Sequence, residues 1–385
     1  MNRLTCSIAA ASALLLAGCA TTQRATWTPT GDALTDGRTA IAQGPAKDKM
    51  LWQYRTAVTA MRRGNLQEAK QLLDDAILTL GGIQVGDKSA KKARRLFSAE
   101  ESKNFIGEPY ERSMAYFYRG ILYWMDGEPD NARACFRSAQ FEDSDLENSA
   151  YSGDYVLFDY LDALITAKLG GDAADVLKRA RASVKNDAPP EINPKANTLV
   201  FLEFGQGPTK YAAGEFNEQL RIRPGNSVAR GAIVSAGGKT VRVGAHDDVS
   251  YQATTRGGRV MDHILANKAV FKSTTDNIGN AAIISGMAVG AADRRNSEVA
   301  LGLAAFGVLS KIVSASTTPR ADTRTWDNLP QYISFAALQL PPGTHEVTVD
   351  FFDGGGNVIP SRSRKVSVNV PSTGNDVVIF ASDRI

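Results

Sequence analysis

The pattern of hydrophobic and polar positions changes its period once along the chain. Over residues 47–188 the apolar residues recur at helical spacing, which predicts a series of amphipathic helices. After the Pro189-Pro190 pair, short apolar runs with a period of two alternate with glycine- and proline-containing turns over 195–385. The sequence therefore predicts an α+β multidomain protein, with an N-terminal α-helical domain followed by an antiparallel β-rich domain.

A helical insertion at about 261–314 interrupts the β-rich part. It contains two apolar runs, 281–292 and 299–313, with a polar turn between them. Small residues recur at every fourth position of the first run, which allows two helices to approach closely: Ala282, Gly286 and Gly290. Because a bilayer span needs about 20 apolar residues, we predict a helical hairpin docked on the helical domain. Membrane insertion of the hairpin is the alternative.

The first 18 residues have the three-part pattern of a secretion signal. Arg3 supplies a positive charge, residues 8–17 form an apolar stretch too short to span a bilayer, and Leu-Ala-Gly precedes Cys19. This ending resembles the bacterial lipobox, in which the cysteine sulfur is acylated and the chain is cleaved before it. The resemblance implies a signal peptide at 1–18 and a lipid anchor on Cys19. An ordinary secretion signal with a chance cysteine is the alternative.

The residues after Cys19 indicate where the anchored protein is placed. By comparison with bacterial lipoproteins, Ala20 implies sorting to the outer membrane. Residues 19–46 are rich in Thr, Gly, Pro and Ala and show no apolar period. Such a composition predicts a flexible tether that holds a periplasm-facing body away from the membrane.

One stretch of the helical part, residues 113–139, has the spacing of a known repeat. The residues at the repeat's characteristic positions are Gly120, Tyr123, Ala132, Phe136 and Ala139. They resemble the tetratricopeptide repeat (TPR), a helix–turn–helix of about 34 residues. Small residues stand where two helices cross closely, and aromatic residues fill the space beside them. Partial copies occur near 51–76 and 155–183, and a plain helical bundle is the competing interpretation.

The first helix of this unit predicts a binding groove. Apolar side chains at spacings of three and four form one stripe: Met114, Phe117, Ile121 and Trp124. The corresponding face of a tetratricopeptide repeat lines a concave groove, which suits an extended peptide or a partner helix. We therefore predict a groove for an envelope protein or peptide. The alternative is that the protein's own segments fill it, with 281–313 as the candidate.

Four further segments resemble a family of uncharacterised bacterial lipoproteins with TPR-like N-terminal domains and β-rich C-terminal domains. They are residues 109–112, 204–210, 321–330 and 340–345. The resemblance covers most of the mature chain. It implies architecture and location, and its motifs are not associated with a known reaction.

Charge and cysteine content narrow the class of protein. The chain has 44 Lys and Arg against 41 Asp and Glu, a net charge of +3, and this near balance gives no reason to expect nucleic acid as a partner. Of the three cysteines, Cys6 is expected to leave with the signal and Cys19 to be acylated. Cys135 then has no partner for an internal disulfide, and we interpret it as a packing residue.

No group of residues in the sequence indicates catalysis or a cofactor. His246, His263 and His345 have no paired spacing typical of a metal site, and His246 is predicted in a solvated turn. The glycine-rich segment 205–210 lacks the Lys-Ser/Thr ending of a phosphate loop. The acidic run 142–147 lacks the spacing of a calcium loop and is predicted to be solvated. We therefore expect no metal, no cofactor and no enzymatic activity.

Together these features predict a lipid-anchored binding or scaffold protein at the outer membrane. It would act through protein–protein contacts with an envelope protein or peptide, in envelope assembly or maintenance. The alternative is a structural outer-membrane lipoprotein that self-assembles and whose groove is filled internally. An envelope hydrolase is a third hypothesis, and it would require a polar cleft between the domains with perturbed carboxylates.

Overall fold

The fold is seen in a computed structural model, which describes residues 27–85, 103–144, 153–215, 217–254 and 320–384. Side chains in the first of these ranges are described to residue 80. The predicted signal peptide, the predicted lipid-bearing cysteine and the predicted helical hairpin all lie outside the described residues. None of the described helices combines the length and apolarity needed to cross a membrane.

Helices dominate the first half of the chain, and successive helices pack against each other. The helices are α1 (Ala33–Gln43), α2 (Lys49–Arg62), α3 (Leu66–Val85), α4 (Pro109–Met125), α5 (Pro129–Asp143), α6 (Val156–Lys168), α7 (Ala174–Ala182) and α8 (Val249–Thr254). Helix α4 begins with a capping box, in which Glu108 and Glu111 each bond to the other's main-chain N–H. Proline at the first helical position fits this start, because the N–H that it lacks would have no helical partner.

Helix α1 lies inside the segment predicted to be a flexible tether. Asp32 caps the helix by accepting a hydrogen bond from the Thr35 N–H at 2.8 Å, and Leu34 and Ala40 are buried against the rest of the protein. Gly37 allows α1 to approach α2 closely, since a Cβ at Gly37 would lie 2.2 Å from Oγ1 of Thr56. From residue 33 the tether prediction is therefore wrong. The buried side chains of Leu34 and Ala40 and the close contact between Gly37 and Thr56 pack this helix against the protein, although it contains few apolar residues.

The second half forms two four-stranded sheets and a separate hairpin. The strands are β1 (Thr198–Phe204), β2 (Thr209–Ala213), β3 (Gln219–Arg223), β4 (Gly231–Ala236), β5 (Lys239–Gly244), β6 (Asp247–Asp248), β7 (Tyr332–Leu338), β8 (Gly343–Phe352), β9 (Arg364–Val370) and β10 (Val377–Ser382). The central sheet has the order β10-β1-β7-β6, the outer sheet has the order β5-β4-β8-β9, and β2 pairs with β3. The sheets are antiparallel except that β1 and β10 run parallel.

The central sheet lies between the helices and the outer sheet. Leu199 and Phe201 of β1 pack into the core of the helical layer, and the alternate residues Val200 and Leu202 pack against the outer sheet. Every residue of β1 is buried, because both faces of the strand are covered. The helical and β-rich parts therefore share one apolar core on the helix-facing side of this sheet, and a second core lies between the two sheets.

The unit singled out at 113–139 forms helices α4 and α5. A Cβ at Gly120 would lie 2.7 Å from Cε1 of Phe136, so the glycine is where the two helices cross most closely. Ala132 and Ala139 are fully buried on the opposite helix. This agrees with the expected close crossing of two helices, while assignment to the tetratricopeptide repeat stays a prediction.

We expect Gly120→Ala to destabilise the protein. Alanine would favour the helix by about 1 kcal/mol, but its methyl group would collide with the ring of Phe136 in a packed core, at a cost of about 1–3 kcal/mol. The net loss, up to about 2 kcal/mol, is measurable by urea unfolding. Phe136→Leu should partly rescue it, so a double mutant that loses the sum of the two single losses would contradict this packing.

Candidate functional site

The four side chains of the predicted groove are all buried. Met114 and Ile121 have no exposed surface, and Phe117 and Trp124 are each 1% exposed. Strand β1 of the same chain covers this face: the ring of Phe201 lies 6.2 Å from that of Phe117 and 6.0 Å from that of Trp124. An open groove on this face is therefore absent. The protein's own chain fills it, and the described segment that covers it is β1; the stretch 281–313 lies outside the described residues.

A second face of the helical layer holds an irregular segment, which we call the strap (residues 320–331). The strap has no regular secondary structure and leads directly into β7. Its Trp326 is fully buried and stacks on Tyr54 of α2, with the ring centroids 4.5 Å apart and the planes inclined by 16°. The indole N–H donates to Oδ1 of Asn328 at 2.7 Å, so its polar atom is satisfied within the strap.

Side chains of the helices bind the main chain of the strap. Arg55 donates to the carbonyl oxygen of Thr325 at 2.6 Å, and Arg62 donates to that of Asn328 at 2.8 Å. The main-chain N–H of Trp326 donates to Oε1 of Glu111 at 2.8 Å. Because a buried main-chain group needs a partner, these three side chains replace the bonds that a strand or helix would have supplied.

The beginning of the strap is fixed by Arg324. Its guanidinium pairs with Asp48 at 2.7 Å and with Asp322 at 2.6 Å. It also donates to the carbonyl oxygens of Lys47 and Lys103, at 3.2 and 2.9 Å. One planar group with several donors thus joins the start of the strap to the chain before α2 and the chain before α4.

Two buried carboxylates hold the seam between the helical layer and the strap. The first is Glu111, which has no exposed surface and pairs with Nζ of Lys210 at 2.5 Å, a cation that is itself almost fully buried. Glu111 also accepts hydrogen bonds from the N–H groups of Glu108 and Trp326. One carboxylate therefore caps α4, anchors the strap and neutralises a lysine from β2.

The second carboxylate is Glu203 of β1, which points toward the helices. Its oxygens lie 2.5 Å from Nε of Arg62 and 2.5 Å from the hydroxyl of Tyr118. Burial, and then the nearby carboxylate, raise the pKa of Tyr118 well above its usual value, so the phenol keeps its proton and donates it. Arg62 also binds the strap, so this pair links α2, α4, β1 and the strap.

Several residues weighed in the sequence lie in surroundings other than those predicted. His246, predicted in a solvated turn, is 2% exposed. Glu142 and Asp143, predicted in a solvated loop, are buried at the end of α5, where Glu142 pairs with Arg112 at 2.5 Å. Both predictions were wrong for the same reason. A local run of polar residues does not show that a distant segment supplies a partner, here an arginine for Glu142 and main-chain carbonyl oxygens for His246.

The other candidate residues have modest structural roles. His345 lies 2.8 Å from the carbonyl oxygen of Pro341, which orders the turn before β8. Cys135 is buried, and burial raises the pKa of its thiol to about 12, so the reactive thiolate is strongly disfavoured. His263 lies outside the described residues. Within the described ranges, no cluster of three or more His, Cys, Asp or Glu side chains is placed to hold a metal ion.

Sequence reasoning missed the residues that build the seam. Arg62, Glu111, Glu203 and Lys210 come from four different elements, and no spacing relates them in the chain. The one available signal was Glu203 itself, a charged residue at the end of the apolar run that became β1.

Comparisons with protein-family models, with curated proteins and with solved structures found no match to this chain.

We expect Lys210→Met to lower the free energy of unfolding by about 3–5 kcal/mol. The substitution leaves the charge of Glu111 buried without its cation, which is the costly way to break a buried pair. Urea unfolding at neutral pH measures the effect. The double variant Glu111→Gln with Lys210→Met removes both charges, and it should lose less than the sum of the two single losses.

The matched control is the exposed pair of Lys365 and Glu346, with N and O atoms 3.1 Å apart. Lys365→Met should change the free energy of unfolding by less than about 1 kcal/mol, because water screens that pair. Equal effects of the two lysine substitutions would show that the buried pair does not hold the seam.

Proposed function

We propose that the chain is a lipid-anchored scaffold or binding protein that faces the periplasm from the outer membrane. It acts through protein–protein contacts in envelope assembly or maintenance. The anchor is Cys19, and the proposal includes no catalytic step and no cofactor. TPR-like pairing of helices is part of the proposal for the helical layer, as is a docked helical hairpin in the segment after α8.

One observation carries the proposal: the helical layer holds an irregular peptide segment through its main chain. Arg55, Arg62 and Glu111 bind main-chain atoms of the strap, and Tyr54 receives its tryptophan. Main-chain contacts supply affinity and a pocket for one side chain supplies selectivity, which is how folded domains commonly recognise peptides. Here the peptide belongs to the same chain, so it joins the helical layer to the central sheet.

Because β1 and the strap cover two faces of the helical layer, a partner must contact its remaining surface. Three large apolar side chains are well exposed there: Leu78 (78%), Phe141 (69%) and Leu169 (49%). Leu78 also borders a cleft of about 320 Å³ between α2, α3 and Phe105. Exposed apolar groups on a rigid layer are the features from which protein contacts are built.

Photo-cross-linking in living cells tests the proposal. A photoreactive residue is placed at Leu78 or Phe141, and cross-linked products are identified by mass spectrometry. We expect one of these positions to capture another envelope protein. Capture should be lost in the Cys19→Ser variant, because without acyl chains the protein is no longer held beside membrane-bound partners.

The matched controls are Val228 and Val358, which are 59% and 42% exposed on the β-rich side. Probes there have similar access to solvent but lie away from the helical layer. The proposal fails if neither helical position captures a different protein. Equal capture from all four positions would indicate non-specific proximity, which also contradicts it.

The buried groove favours a second candidate, a structural lipoprotein that self-assembles. Phe117 and Trp124 contact β1 of the same chain, so the face that suggested a partner is used internally. Association would then join copies of this chain. Closed symmetric assemblies are the usual outcome when identical surfaces meet.

Sizing of the soluble form with Cys19 replaced by serine separates the two candidates. The scaffold proposal predicts a monomer at micromolar concentration. The self-assembly candidate predicts a discrete oligomer, and a substitution at its contact surface, such as Leu78→Asp, should return it to the monomer. A monomer at all concentrations tested would exclude self-assembly through the soluble body.

A further inference from the structure

His246 lies where the linker after the helical layer meets the central sheet. Its two ring nitrogens face two main-chain oxygens: Nδ1 is 2.9 Å from the carbonyl oxygen of Asp187, and Nε2 is 3.1 Å from that of Phe335. Asp187 follows α7, and Phe335 lies in the middle of β7. The main-chain N–H of Asp187 donates to the carbonyl oxygen of Ala245 at 3.0 Å. The ring therefore completes a link between the linker and the central sheet.

Each protonation state of His246 has a different cost in this link. The neutral ring has one N–H, so one carbonyl oxygen faces a lone pair, whereas the charged ring could donate to both. The charged ring, however, would be buried, and burial lowers the pKa of His246 although both main-chain acceptors and the carboxylate of Asp187 oppose the change. The closed link therefore holds the neutral ring.

The next residue makes a second link, to the start of α6. The carboxylate oxygens of Asp247 accept hydrogen bonds from the N–H groups of Val156 at 2.9 Å and Leu157 at 2.8 Å. These are the first two residues of the helix, whose N–H groups have no partner within it. Strand β6 of the central sheet thus caps α6 of the helical layer.

The surroundings of Asp247 oppose its charge. Burial raises the pKa of Asp247 to about 7, and the carboxylates of Asp154 and Asp143 add to this effect, while the two N–H groups act against it. Lys185 pairs with Asp154, one of these two carboxylates, at 2.8 Å. The cap therefore carries a carboxylate that gains a proton near neutral pH.

We propose that His246 and Asp247 form a proton-responsive joint, in which acid releases the linker at His246 and strengthens the cap on α6 at Asp247. The two residues are consecutive, yet each holds a different element against the central sheet. A fall in pH therefore weakens the link at His246 and stabilises the link at Asp247, and a rise in pH has the opposite effects.

The direction of each pH effect follows from the difference in pKa between the closed and the open form of each link. When the linker separates, His246 regains its ordinary pKa of 6.5, so below that value the open form binds the proton more readily and acid favours opening. When α6 separates, the pKa of Asp247 falls from about 7 toward 3.8. Between these values the closed form binds the proton more readily, so the cap weakens as the pH rises.

Amide hydrogen exchange of the full chain, corrected for the intrinsic pH dependence of exchange, tests the joint. The amide of Asp187 reports on the linker, and the amides of Val156 and Leu157 report on the cap. Between neutral pH and about pH 5, we expect protection of the Asp187 amide to fall and protection of the other two to rise. Each change is limited to about tenfold per pH unit, the maximum for one proton.

Two variants assign the changes to their residues. His246→Gln keeps a donor but cannot titrate, so it should flatten the response of the Asp187 amide alone. Asp247→Asn should flatten the response of the Val156 and Leu157 amides alone. The controls are His345→Gln and Asp130→Asn, of which the second removes an exposed carboxylate from the first turn of α5. Neither control should alter these responses.

Two results would overturn the proposal. One is amide protection in the unaltered protein that does not change with pH at either link. The other is a pH dependence of protection that is the same in the variants as in the unaltered protein. A nuclear magnetic resonance titration of the His246 ring gives an independent answer that needs no variant. A midpoint at or above 6.5 would show that the closed joint accepts the proton, which contradicts release by acid.

Discussion

The rest of the structure depends on the burial of β1 on both faces. Phe201 and Leu199 pack among the helices, and Val200 and Leu202 pack against the outer sheet. A strand covered in this way has no solvent-facing side on which polar residues could alternate. The helical layer is therefore needed to complete the β structure, and the sheet is needed to cover the helices. The core between the two sheets belongs to the β-rich part alone, but the core of the helical layer is completed by the central sheet.

That constraint also explains why charges are buried along the seam. Glu203 continues β1 on its helix-facing side, so it must meet partners within the helical layer, and it finds Arg62 and Tyr118. Glu111 is placed by the start of α4 and meets Lys210 in the same way. Buried pairs of this kind add little net stability but penalise any arrangement that separates the partners. These buried pairs therefore favour one relative placement of the strap, the helices and the central sheet.

The consequence for function concerns which surfaces remain available. The stripe from Met114 to Trp124 has the spacing of a partner groove, yet its partner is the strand that follows in the same chain. The strap occupies a second face through contacts typical of peptide recognition. In the function that we propose, another protein contacts the outer side of the helical layer, and in the proposed joint the links at His246 and Asp247 determine how firmly that layer is held.

The sequence by itself determined the order of the two main parts, helices first and strands after, but not every element, since residues 249–254 form helix α8 within the part predicted to be β-rich. The change from helical period to period two separated the helices from the strands, and Gly120 with Phe136 indicated a close helix crossing, because these signals are local. The small helix α1 was missed because its docking depends on a contact between Gly37 and Thr56. Only the tertiary structure decided the candidate site. The seam joins residues such as Arg62, Glu111 and Lys210, which are distant in the chain, and no local pattern of polarity encodes which charges meet once both faces of a strand are covered.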